Sequence, residues 1–410
     1  MSAVLERLLR YVQYDTQSDD TSPTYPSTAK QRVLLEALRD ELQQMGLTDV
    51  SMDEYGYVMA TVPATSSHAV PTIGFMAHVD TSPEMSGTNV KPLVHRAYDG
   101  RDLVFPDAPD VVLRASEWPA LAARVGDDIV TASGTTLLGA DNKAGVAEIM
   151  TAVEHLARHP EILHGPIRIA FTPDEEVGRG TEHFDVSRFG AAYAYTMDGG
   201  ARGHLECESF SADTVAITFH GFNTHPGYAK GRMVNAIKAA ADFITHLPAD
   251  TLSPETTSGY EGFVHPNAIE ASVDITTVRL LIRDFTEAGL RAKHALLRTL
   301  AEETTARFGG MRVEITVTEQ YRNMRSVIDA HPHVVAYARE AIVRAGLTVH
   351  ERPIRGGTDG SRLSFMGVPT PNIFAGEQNF HSRLEWVSVQ DMEKAVDVIL
   401  HLVQIWHERT

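Results

Sequence analysis

Four apolar runs in this chain each lead into a histidine or an acid. Residues 72–77 run into His78-Val79-Asp80, and 167–172 run into Asp174-Glu175-Glu176. Residues 191–197 run into Asp198, and 371–375 are followed shortly by Phe380-His381. Runs of this length read as buried strands. A helical stretch from about 142 or 143 to 158 precedes the second of them, and this alternation predicts an α/β sheet with helices on its faces. In such a sheet, ligands collect at the carboxyl ends of the strands. One pattern therefore predicts both the fold and the place of the chemistry.

The chain has 410 residues, more than one hydrophobic core usually supports. Its pattern changes after about residue 208. Alternating segments at 213–219, 270–277, 278–283 and 311–318, with helices at 234–246 and 286–308, predict an inserted α+β domain over 209–322. The first domain is then split, 1–208 plus 323–410, and the later part carries helices at 332–345 and 389–407. Near the amino end, Leu5, Leu8, Leu9 and Val12 keep helical spacing. A second helix is expected over 28–45, capped by Ser27 and closed by Gly46. Residues 82–128 are rich in Pro, Gly and Asp, and predict little regular structure.

Composition narrows the function. Formal net charge is −18, from 54 acidic against 36 basic residues. Nucleic acid and anionic membranes are recognised by clustered Lys and Arg, which this balance disfavours. No run approaches the length of a membrane span. Charges interrupt the amino-terminal stretch too early for a signal peptide, so a cytoplasmic location is expected. The single cysteine, Cys207, excludes an internal disulfide and a Cys-based zinc site.

Two histidines and several carboxylates form a mixed nitrogen and oxygen ligand set, which suits zinc and also cobalt or manganese. A pair of metals needs a carboxylate between them. Asp141, in Gly139-Ala140-Asp141-Asn142-Lys143, immediately precedes a helix, where an Asp also serves as an N-cap. Asp80 stands two residues after His78, on the same side of an extended segment, and is placed to accept the free ring N–H of a metal-bound imidazole. Glu175 and Glu176 serve one site only if they lie on a turn, with one as ligand and the other as base. Other chemistries find no support. His155 and His159 lack the Glu of a His-Glu-x-x-His helix, and residues 134–139 lack the Lys of a phosphate loop. No Gly-x-Ser-x-Gly elbow occurs.

Ala77-His78-Val79-Asp80-Thr81, Gly139-Ala140-Asp141-Asn142-Lys143-Ala144-Gly145, Asp174-Glu175-Glu176-Val177-Gly178 and Met197-Asp198-Gly199 resemble successive signatures of the M20 metallopeptidases. Ile282-Arg283-Asp284-Phe285 and Pro353-Ile354-Arg355-Gly356-Gly357-Thr358-Asp359-Gly360 narrow the resemblance to the family's tripeptide aminopeptidases. It implies a di-zinc hydrolase that releases the first residue of short peptides, with a mixed-sheet catalytic domain and an inserted lid domain. His78 and Asp198 would hold one zinc, Glu176 and His381 the other, and Asp141 would bridge. Asp80 would orient His78, and Glu175 would be the general base. His225 would help hold the tetrahedral intermediate, and in dimeric relatives it can come from a partner chain, so a homodimer through the lid is expected. Arg283, Asn323, Arg355, Gly357 and Thr358 would face the substrate. The family usually continues its last histidine as His-Gly-x-x-Glu, whereas this chain reads His381-Ser382-Arg383-Leu384-Glu385. Sister activities in the family are a dipeptidase, a carboxypeptidase and an N-acyl amino acid hydrolase. A binding protein without catalysis is the more distant alternative.

Overall fold

The computed structural model describes residues 2–309 and 311–410. They divide into two units: residues 1–207, 324–352 and 358–410, and residues 208–323 with 353–357.

The first unit is built on an eight-stranded mixed sheet. Its strands lie in the order Ser51–Met52, Val58–Val62, Ile167–Thr172, Ile73–His78, Tyr193–Gly199, Asn372–Phe374, His204–Glu206 and His350–Glu351. The four central strands are mutually parallel, so their carboxyl ends share one edge. These are the four apolar runs of the sequence. They are continuously apolar because both faces of the sheet are covered, and Ile73–His78 is buried at every residue. Side chains alternate between the faces. Phe75 and Ala77 join a core with Leu8, Val146, Ile149 and Leu402 from flanking helices. Met76 instead packs with Tyr57, Ala170, Phe189 and Leu363.

Packing on the first face needs a small residue in the helix Ala140–Arg158. A Cβ at Gly145 would lie 1.9 Å from the carbonyl oxygen of Met197. Glycine therefore lets this helix lie directly on the Asp198 strand. Glycine ordinarily weakens a helix interior by about 1 kcal/mol relative to alanine, so its presence here reflects the close approach.

The structure corrects three readings of the sequence. Residues 82–128 contain Leu93–His95, Leu103–Phe105, Ala108–Leu113 and the helical turn Pro119–Ala122. Leu93–His95 belongs to a small sheet with Ile129–Thr131, Trp386–Ser388 and Glu377–Gln378. Strands of two or three residues carry almost no periodicity, and half of this sheet comes from the far end of the chain. The second helix begins at Gln31 with Lys30 as its cap. Ser27 does not cap it, because the Ser27 hydroxyl bonds Asp174. In the second unit, the adjacent strands expected at 270–277 and 278–283 are instead a hairpin of Phe263–Ala271 and Ile275–Asp284. Pro266 obscures the first of these in the sequence. It is tolerated because that strand is at a sheet edge.

The second unit is a four-stranded antiparallel sheet, ordered Phe263–Ala271, Ile275–Asp284, Ser211–His220 and Arg312–Tyr321. The helices Ala236–Thr245 and Glu287–Arg307 pack on it through Ala240, Phe243, Leu297 and Ala301, against Val215, Ile217 and Leu280.

Gly145→Ala tests the helix contact. It is expected to lower the thermal midpoint despite the better helix propensity of alanine. An unchanged or raised midpoint by differential scanning calorimetry would contradict the packing argument.

Candidate metal centre

Each strand delivers its side chain through a different local device. His78 is the last residue of its strand. Beyond it, the carboxylate of Asp80 is fully buried and lies 3.3 Å from His78 Nδ1, which is also 3.0 Å from the Asp80 carbonyl. Both neighbours of Nδ1 are acceptors, so Nδ1 carries a hydrogen and Nε2 is the ring atom that could serve as a metal ligand. The same carboxylate accepts the backbone N–H of Glu175 at 3.0 Å and of Glu176 at 3.1 Å.

Those two amides converge because Asp174 turns the chain. It has a positive φ of 59°, uncommon for a residue other than glycine. Its buried carboxylate accepts from Ser27 N and Gln31 Nε2, each at 2.6 Å, and from the Ser27 hydroxyl. Its own N–H donates to Gln31 Oε1 at 3.1 Å. The turn required for two adjacent glutamates to serve one site is thus held by a helix over 140 positions earlier.

Asp141 opens its helix with non-helical dihedrals, as does Asn142. Glu385 fixes this loop. Its fully buried carboxylate accepts the N–H groups of Leu138 at 2.6 Å, Gly139 at 2.8 Å and Asp141 at 3.0 Å. The stretch after His381, where the sequence departs from the family motif it resembles, therefore still ends in an acid that shapes this loop.

These devices bring the predicted ligands together. Asp141 Oδ1 is 3.0 Å from His78 Nε2, and its Oδ2 is 3.2 Å from His381 Nε2. Asp198 Oδ1 is 3.3 Å from His78 Nε2, and Glu176 Oε2 is 2.8 Å from His381 Nε2. Two groups result, His78-Asp141-Asp198 and Asp141-Glu176-His381, each with ligand atoms within 4.8 Å of one another. Asp141 belongs to both and gives one oxygen to each. Glu175 Oε2 stands 3.9 Å from His78 Nε2.

The electrostatics ask for cations. Burial works against the imidazolium of His78, yet Asp198, Asp141 and Asp80 raise its pKa well above the usual value. Burial likewise opposes charge on His381, but Asp141 and Glu176 push its pKa up to about 12. Burial and the charge of Asp141 raise Glu176 to about 8, against the pull of His381. Burial also raises Glu175 well above the carboxylate range, with Asp198, Asp359 and Glu176 adding to it. Protons thus compensate a cluster of negative charge that divalent ions would satisfy. Glu176 Oε1 is buried with no hydrogen-bond partner, an expensive state for a carboxylate oxygen unless a cation takes it. The donor set and this orphaned oxygen both fit a pair of metals.

Other acids at the centre escape sequence reasoning. Asp359 is buried and accepts from the Thr172 hydroxyl at 2.7 Å. A Cβ at Gly180 would lie 2.1 Å from its Oδ1, so it packs on the turn that follows Glu175 and Glu176. Burial raises its pKa to about 6. Glu377 is also buried, and burial together with Asp141 and Asp198 raises its pKa well above the usual range. Its sequence signal was a position just after an apolar run. Nothing in the sequence could link Ser27 and Gln31 to Asp174.

Of the remaining predicted residues, Thr358 lies in the first unit and opens the helix Asp359–Phe365. His225, Arg283, Asn323, Arg355 and Gly357 lie in the second. His225 is exposed, and its Nδ1 accepts from Gly227 N at 3.1 Å. Asn323 spends its side chain on Ser209 N, Glu208 and the Phe285 carbonyl. Arg355 spends its guanidinium on Thr257 and the carbonyls of Gly259 and Glu261. Arg283 donates from Nη1 to the Arg355 carbonyl, while its buried Nε has no partner. Gly357 leaves room for Tyr321, whose ring would meet a Cβ at 2.7 Å.

An open sheet with this cluster at its carboxyl edge defines a class of metallopeptidase. Residues 110–405 match peptidase family M20/M25/M40, and the chain belongs to that family. Within it, the chain is 50% identical over 406 residues to a peptidase T of Exiguobacterium sp., covering 99% of this chain and 98% of that one. It is 49% identical to a peptidase T of Geobacillus thermodenitrificans, covering 99% of each. The fold matches that of an aminopeptidase PepT from Bacillus cereus with a TM-score of 0.75, at 23% identity over 99% of this chain and 98% of that one. It also matches a Staphylococcus aureus tripeptidase with a TM-score of 0.77, at 21% identity and the same coverage.

Glu385→Ala tests the loop support. Removing a hydrogen-bonding group behind a ligand typically costs roughly 10–100-fold in metal affinity. A loss of that size is expected in chelator competition, and unchanged retention of both ions would reject the assignment.

Proposed function

We propose that this chain is a two-metal aminopeptidase that releases the first residue of tripeptides. Full-length identity of about half to peptidases T supports the activity. The observation that carries the chemistry is Asp141, which presents one oxygen to each of two histidines. His78 and Asp198 would hold one ion, Glu176 and His381 the other, with Asp141 between them. Zinc suits this set, and cobalt or manganese are the expected substitutes. Two such ions, when bound, polarise the scissile carbonyl and make a nucleophile of water near neutral pH.

The chain's own residues do the rest. Glu175 takes the proton from the attacking water and passes it to the leaving amine. Counted before any other group, two bound ions would bring one more positive charge than Asp141, Glu176 and Asp198 return, and that surplus would favour the ionised form of Glu175 that a base requires. Asp80 holds the His78 ring and the Glu175 amide together, which keeps base and ligand in register. In the second unit, Gly227 N–H occupies Nδ1 of His225, so the neutral ring carries its hydrogen on Nε2. That is the tautomer needed to donate to a developing oxyanion. We assign this unit the lid role that the family resemblance implies. Arg283 is the better candidate for the substrate carboxylate, because the Arg355 donors are already spent on backbone carbonyls. The free α-amine would meet the carboxylates of the centre. Contacts at both ends would measure peptide length.

The setting follows from the same reading. Among the described residues, no helix is long and apolar enough to cross a membrane. With a single cysteine, a cytoplasmic enzyme is the consistent picture. Either edge strand of the second unit, Phe263–Ala271 or Arg312–Tyr321, would serve a homodimer. Sedimentation equilibrium showing only monomer at micromolar concentration would remove that part.

Glu175→Ala is expected to keep both metals and lose activity by roughly 10²–10⁴-fold, the usual scale for a general base. Near-normal turnover in the metal-loaded variant would sink the assignment. A matched set of substrates tests the reaction itself: a free tripeptide, its N-acetylated and C-amidated forms, and the related di- and tetrapeptide, each with and without chelator. Chelator-sensitive release of the first residue from the free tripeptide is expected. Preference for the acetylated or shorter peptide would move the chain to a sister activity.

A further inference from the structure

The chain carries 54 acidic against 36 basic side chains, yet one cavity of the first unit is lined by basic groups without an acid among them. It has a volume of about 410 Å³ and is bounded by Arg124, Arg202, His204, His350 and Arg352, with three uncharged residues completing its wall. A second cavity of about 630 Å³ also contains arginines, but Asp40, Glu41 and Glu154 line it too. There Arg7 and Arg10 are paired with Glu41, and Arg7 also with Glu154.

The smaller cavity is a built feature. Asp391 is fully buried and accepts from Arg124 Nε at 2.8 Å, while its other oxygen is 2.9 Å from Arg202 Nε. Arg124 is thus held by a hydrogen bond and Arg202 by an ion pair to the same carboxylate. Asp127 lies farther off, 3.8 Å from Arg124 and 3.7 Å from Arg202. These two acids balance two arginines, and Arg352 stands as the excess positive charge, exposed and with no ion pair among the described residues. The walls are tied together. His350 N–H donates to the Gly203 carbonyl at 2.8 Å. Gly203 has a φ of 84°, and a Cβ there would lie 2.3 Å from the Thr348 carbonyl oxygen. Burial, with Arg352 and His350 close by, lowers the pKa of His204, although the Glu206 carboxylate lies 3.9 Å from its Nδ1.

We propose that this cavity binds a small phosphate-bearing anion, gripped by the guanidinium groups of Arg124, Arg202 and Arg352 with His350 at the rim. Arginine forks match phosphate oxygens in pairs, and the volume suits a small ligand. Neither the ligands nor the base of the metal centre takes part. Free phosphate and a phosphate ester share this chemistry.

The test is calorimetric titration of the metal-loaded full chain with inorganic phosphate and, separately, phenyl phosphate. It is repeated for Arg352→Ala and for Arg352→Ala combined with His350→Ala, both exposed positions. Saturable binding is expected, weakened about tenfold or more in Arg352→Ala and further in the double variant, with metal content and tripeptide hydrolysis unchanged. Binding of both probes supports a phosphate-ester ligand, and binding of inorganic phosphate alone supports the free ion. Affinity equal in all three proteins would place the anion on the metals and overturn the proposal, as would the absence of saturable binding.

Discussion

The centre depends on one carboxylate facing two ways. Asp141 offers its oxygens to two histidines that arrive from strand ends separated by 303 positions in the numbering, 78 and 381. That is possible only because the first residues of its helix do not follow the helix. Regular dihedrals would turn the Asp141 side chain along the helix surface. Glu385 gives the backbone at 138–141 an alternative set of acceptors, which releases it from helical geometry. Gly145 then allows the regular part of the helix to settle on the Asp198 strand.

Around this point the chain gathers more buried and half-buried carboxylates than its two imidazoles can neutralise. Asp80, Asp141, Glu176, Asp198, Asp359 and Glu377 share a small volume with two imidazoles. Hydrogen bonds from the backbone and from Thr172, Ser27 and Gln31 satisfy the acids that only shape the site. The acids that face its interior are left with protons or with unpaired oxygens. Glu377 falls between the two groups: it is not among the proposed ligands, yet its buried Oε2 has no hydrogen-bond partner.

Much of this was legible in the sequence, for a physical reason. Parallel strands buried on both faces must be continuously apolar, so the residues that end them stand out as His78, Asp198 and the 174–176 turn. The proposed ligands follow from that pattern together with the family motifs. What the sequence could not express are contacts between remote segments. Ser27 looked like a helix cap because its neighbourhood has the local signature, while its actual partner, Asp174, lies 147 positions away. Strands as short as Ile129–Thr131 and Trp386–Ser388 have no periodicity to detect and exist only through pairing, with each other and with Leu93–His95 and Glu377–Gln378 on either side. The occupied state of Arg355 and the open state of Arg283 were equally invisible, since both read simply as arginines near a glycine loop.

Asp80 joins the two halves of the chemistry through a single side chain. It sets the His78 ring with one oxygen and gathers the Glu175 and Glu176 amides with both. If His78 is a ligand and Glu175 the base, as proposed, metal preference and base strength are not independent properties. On that proposal, a change that rotates His78 would also displace Glu175, so stepwise adaptation to a different ion or reaction would have to pass through variants impaired in both. Such a linkage favours change at the substrate-binding end of the protein, where new specificities can arise without disturbing the hydrolytic apparatus.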